Sequence, residues 1–112
     1  PDTQRQRLAL VGLLRQPQLF ERLSEELVAL NLTGPLDNLW QAVVSTLETS
    51  PDFDSAALRS CLYAKGFEDT VQHLLGEFAK GPVLWAREGA ASSEVERGLR
   101  GLVTMIRMQT AK

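Results

Sequence analysis

The chain has 112 residues, 44% of them hydrophobic, and sets 12 basic side chains against 14 acidic ones for a net charge of −2. That length buries roughly two-thirds of the unfolded surface in one core, and the slight acidic excess speaks against a dedicated nucleic-acid binder, which neutralises phosphates with surplus Lys and Arg. The single cysteine, Cys61, cannot close an internal disulfide, and no apolar run approaches the roughly 20 residues that cross a bilayer, so a cytoplasmic setting is expected.

Apolar residues recur with the helical period almost from end to end, and no segment alternates with the period of a strand. Thr3 and Gln6 stand at capping-box spacing, so a first helix starts there, carries Leu8, Val11 and Leu14 inward, and ends near Gln16 because Pro17 lacks an N–H. Pro17 suits the first turn of a second helix with the stripe Leu19, Phe20, Leu23, Leu27 and Leu30. The breaker cluster Asn31-Leu32-Thr33-Gly34-Pro35 follows. A third helix carries Leu36, Leu39, Trp40, Val43, Val44 and Leu47 and ends before Thr49-Ser50-Pro51.

Asp54 is the natural N-cap of the fourth helix, since its carboxylate can accept the unpaired N–H groups of the first turn. Leu58, Cys61 and Leu62 face the core, and Gly66 can take the left-handed conformation that stops the helix. The fifth helix presents Phe67, Val71, Leu74, Leu75 and Phe78, and Gly81-Pro82 closes it. Residues 81–92 read as a loop containing Trp85, which either plugs one end of the bundle or meets a partner. Ser93 and Glu96 form a second capping-box match before a sixth helix with Val95, Leu99, Leu102, Val103 and Ile106. The expected architecture is all-α, a compact bundle of about six helices spanning 1–112 as a single domain. Pro1 follows no methionine and Lys112 falls inside a helical pattern, so the domain reads as a fragment of a longer protein.

The side chains able to carry chemistry are sparse. His73 has no second histidine or cysteine at metal-ligand spacing, and Cys61 has no neighbouring base and reads as a small buried hydrophobe. Glu25 and Glu26 point about 100° apart on their helix and cannot converge. Asp52 and Asp54 are turn and cap residues, and no phosphate-cradling glycine loop occurs. No catalytic, metal or cofactor site is expected. The last helix carries the one suggestive surface: Arg97, Arg100 and Arg107, at spacings of three and seven, with Met105 and Met108 beside them. A solvated basic face, a protein-docking strip and a nucleic-acid contact all fit this pattern. The docking strip is the functional reading preferred here, because Arg and Met are enriched at interfaces and no aromatic platform for bases accompanies them.

Three stretches, in order, carry a resemblance: Leu8…Gly12-Leu13-Leu14-Arg15-Gln16-Pro17-Gln18-Leu19; Asp54…Leu58-Arg59…Leu62…Gly66; and Trp85-Ala86 followed by Val95-Glu96-x-Gly98-x-Arg100. Over residues 5–112 the chain resembles the C-terminal helicase-interaction domain of bacterial replicative DNA primases, in the form found in alphaproteobacteria. It departs from that branch at Glu88, Leu99 and Gly101. The resemblance implies a non-catalytic module, the bundle subdomain of a primase without its terminal hairpin, that binds or modulates the replicative helicase. Zinc binding and primer synthesis would lie in other parts of the parent enzyme, a DNA-directed RNA polymerase. Nucleic acid would be met only indirectly, and the domain alone would be monomeric. The partner-binding residues expected are Arg97, Arg100, Met105, Arg107, Met108 and Trp85. The same helical order is similar to the N-terminal, self-associating domain of the replicative helicase, and the Val95-Glu96-x-Gly98 segment favours the primase. A helical domain that touches DNA directly is the remaining alternative.

Overall fold

The computed structural model describes residues 2–28, 30, 32, 34–79, 85 and 89–110. Among these it holds α1 (Asp2–Arg15), α2 (Leu19–Val28), α3 (Pro35–Thr49), α4 (Ser55–Ala64), α5 (Glu68–Glu77) and α6 (Ser92–Thr110), and no strand. The all-α expectation holds. The radius of gyration is 12.7 Å, against about 13 Å for a folded chain of this length. None of the described helices is long and apolar enough to cross a membrane.

The hub is α1, which packs against α3, α4, α5 and α6. The sequence pattern gave it a single stripe, yet Leu8, Ala9, Leu10, Val11, Gly12, Leu13 and Leu14 are all buried. A helix with no polar residue over two turns has no side to offer water, so neighbours must cover it all round. Its C-terminal carbonyls are satisfied from outside: the Ser55 hydroxyl donates to Leu14 C=O at 2.8 Å. Arg15 in turn reaches Leu75 C=O on α5 at 3.1 Å.

Pro17 does not open α2, as expected from its fixed φ. It occupies the turn before, with Leu19 N–H donating to Gln16 C=O and Phe20 N–H to Pro17 C=O, both at 3.0 Å. The same fixed φ suits the second position of a turn, and the turn wins. Along α2, Leu19, Phe20, Leu23 and Leu27 are buried as the stripe requires, and Leu30 is buried beyond the helix end. Gly34, at φ 59°, then aims Pro35 into the first turn of α3. Leu39, Trp40, Val43 and Leu47 of α3 are fully buried, and Thr46 joins them by donating its hydroxyl to Ala42 C=O at 2.7 Å.

Both signals bounding α4 act as read. Asp54 Oδ1 accepts Ala57 N–H at 2.8 Å. At the far end Gly66 has φ 94°, Phe67 N–H reaches back to Leu62 C=O and Gly66 N–H to Tyr63 C=O, each at 3.0 Å. This paired Schellman arrangement leaves Phe67 packed against the core as α5 begins. Val71, Leu74 and Phe78 are buried, with Phe67 and Leu75 half-buried beside them. The expected stop at Gly81-Pro82 and the side chain of Thr3 lie outside the described residues.

Candidate interaction face of α6

Two opposite surfaces meet on α6. Its inner face carries Val95, Leu99, Leu102, Val103 and Ile106, all buried as the pattern predicts. The helix starts one residue before the expected cap, with Val95 N–H donating to Ala91 C=O at 3.0 Å, so Ser93 lies inside the first turn. The expected capping box is therefore absent. Glu96 is instead drawn across to α2, where Arg22 Nη1 donates to Oε1 at 2.9 Å. Its second oxygen accepts Arg100 Nη2 at 3.0 Å and Arg100 Nε at 3.3 Å. The Arg100 hydrogen bond is the largest influence holding the Glu96 carboxyl below its ordinary range; partial desolvation opposes it, and the charge and hydrogen bond of Arg22 reinforce it.

Trp85 explains the two glycines that face each other across α1 and α6. A methyl group at Gly98 would overlap the indole, and one at Gly12 would stand 3.1 Å from its Cζ3 and 3.5 Å from Leu99 Cδ1. The half-buried ring thus lies in a slot made by the missing side chains of two helices. Gly98 stands in one of the stretches that carry the family resemblance; what fills the space it leaves is Trp85, thirteen positions earlier, and that pairing leaves no local trace in the sequence.

The six residues expected to meet a partner are therefore not one patch. Trp85 is seated in the slot, and Arg100 is bound to Glu96 on the flank facing α2. Arg107 is exposed and already engaged within the chain. Arg97, Met105 and Met108 remain on the outer side, with Met105 45% and Met108 69% exposed. Gly101 lies between them, and a methyl group there would meet nothing within 4 Å. At about 100° per residue, Gly101 is turned about 40° from Arg97 and from Met105, and about 20° from Met108. The outer face is thus a ridge about 16 Å long, with a cation at one end, two flexible thioethers at the other and a shallow step between.

The groups weighed for chemistry sit apart. His73 is exposed on α5, beside Asp69 and Arg7 in a shallow depression. Cys61 is half-buried rather than buried, its Sγ 3.9 Å from Thr46 Oγ1, which also accepts Lys65 Nζ at 3.1 Å. Glu25 and Asp52 are exposed, and Trp40 is wholly in the core. Among the described residues no three His, Cys, Asp or Glu side chains gather where they could hold a metal ion. Scans of this chain against protein-family models, curated proteins and solved structures return no significant match.

Proposed function

We propose that this chain is a non-catalytic interaction module of a bacterial replicative primase, acting in the cytoplasm, and that it docks the replicative helicase through the outer face of α6. The observation that carries the reading is the unequal use of that helix. One side is locked into the core by five apolar residues, while Met105 and Met108 stand in solvent beside Arg97. Large apolar side chains left outside a well-packed small domain mark surfaces that other proteins cover. Methionine adapts to imperfect fits and arginine supplies charge that steers encounter. The ordered resemblance of residues 5–112 to the primase module supports the replicative helicase as the partner.

The mechanism is effective concentration. A docked module keeps the primer-synthesising part of its parent close to the single strand leaving the helicase, and takes no part in the chemistry. Titration calorimetry of the chain against purified replicative helicase, alone and extended by the terminal hairpin of the primase family, tests this. Saturable binding that weakens with salt and is lost on Met105→Glu with Met108→Glu is expected; no heat from either form would end the proposal. Sedimentation should show a monomer. Stable self-association would favour the helicase N-terminal domain instead.

A further inference from the structure

α2 divides its exposed surface between two neighbours. On the flank towards α6, Arg22 is committed to Glu96. The flank towards the C-terminal end of α3 is different: there the two helices enclose an open groove of about 650 Å³. Its floor is apolar, made by the edge of Phe20 and the exposed Pro51, with Leu47 sealed beneath, and at one end stands Val28, 48% exposed. Its rim is acidic. Glu21 and Glu25 project from α2 one turn apart, and Glu48 faces them from α3. All three are exposed, and none of them forms an ion pair among the described residues.

Two like charges at i and i+4 work against their own helix. Here a third carboxylate is added across the groove, and no Lys or Arg stands among the described residues that line it. An apolar floor with an acidic rim is the complement of a cationic amphipathic segment. Both walls are helices, so no sheet edge invites an extended peptide. The recognition mode left is a helix lying in a groove. From Phe20 to Val28 the groove runs about 12 Å, the length of about two helical turns. Phosphates and anionic lipid would be repelled by the same rim.

We propose that this groove is a second docking site, occupied by a short basic amphipathic helix of another protein, with one or two apolar side chains against Phe20, Val28 and Pro51 and Lys or Arg side chains meeting Glu21, Glu25 and Glu48. It does not depend on the primase reading, because it lies on a different face from the α6 ridge.

The test is a titration of the ¹⁵N-labelled chain with a synthetic helical peptide carrying two leucines at i and i+4 flanked by lysines, beside the same peptide with glutamates in place of the lysines. Shifts confined to residues 20–28 and 47–51 with the lysine peptide, and none with the glutamate peptide, are expected. Glu21→Gln with Glu25→Gln should weaken that binding roughly tenfold at low salt. Shifts elsewhere, equal responses to both peptides, or no response at millimolar peptide would overturn the site. Concentration-dependent self-association that the same glutamine variant abolishes would also overturn it, assigning the groove to the Arg97–Met108 ridge of a second copy.

Discussion

α1 and α6 lie against each other and share the Trp85 slot, but they use their surfaces in opposite ways. In α1 every residue from Leu8 to Leu14 is buried. Among the described side chains of α6, burial falls on Val95, Leu99, Leu102, Val103 and Ile106, and the outer side carries charge, glycine and methionine. A helix enclosed on all sides has its side chains fixed by the fold and can evolve little else. A helix fixed along one stripe keeps the other side for a partner. The contrast locates stability in α1 and, on the function proposed above, leaves the outer side of α6 for recognition.

Leu13→Ala should break the first half of that contrast most strongly. Leu13 is 0% exposed, and truncation at such a site costs about 3 kcal/mol through lost burial and the cavity left behind. Urea unfolding would measure it. The two glycines of α6 should move stability in opposite directions. Gly98→Ala forces the indole out of its slot, a clash expected to cost about 2 kcal/mol, with Trp85 emission shifting to the red. Gly101→Ala meets open space and should gain about 0.5–1 kcal/mol from the stiffer helix. Equal effects at the two positions would show that the slot is not what distinguishes them.

A smaller effect is expected from the clamp between α2 and α6. Folding lowers the Glu96 value, so on acidification the unfolded chain binds that proton first and is favoured. The stabilisation is therefore complete above the ordinary glutamate value and is lost as pH falls through the lowered one. Melting curves of the wild type and Glu96→Gln should differ at neutral pH and converge in acid, once the pH has fallen below the lowered Glu96 value. A difference that persists in acid would mean the carboxylate charge is not the source.

Much of the helical framework was legible because its determinants are local. The stripes of α2, α3 and α6 follow from a period of 3.6, and the Asp54 cap and Gly66 stop use hydrogen bonds spanning five residues or fewer. What escaped was non-local. Glu96 stands three residues from Ser93, as a capping box requires, but Arg22, 74 positions away, and Arg100, one turn on, hold it instead. Arg100 therefore leaves the row formed by Arg97 and Arg107. The slot for Trp85 depends on Gly12 and Gly98 arriving from two distant helices, and the acidic groove depends on Glu48 arriving opposite Glu21 and Glu25. Spacing along one helix carries no record of such meetings.

The two methionines of the chain, Met105 and Met108, both stand on the outer face of α6. Labelling their ε-methyl groups with ¹³C therefore gives a two-signal spectrum that reports on this ridge alone. On addition of the replicative helicase both signals should shift or broaden together, and the melting temperature of the doubly substituted Met105→Gln, Met108→Gln chain should stay close to wild type. Helicase binding that leaves both methyl signals where they were would contradict the account, because the partner would then be held by some other face.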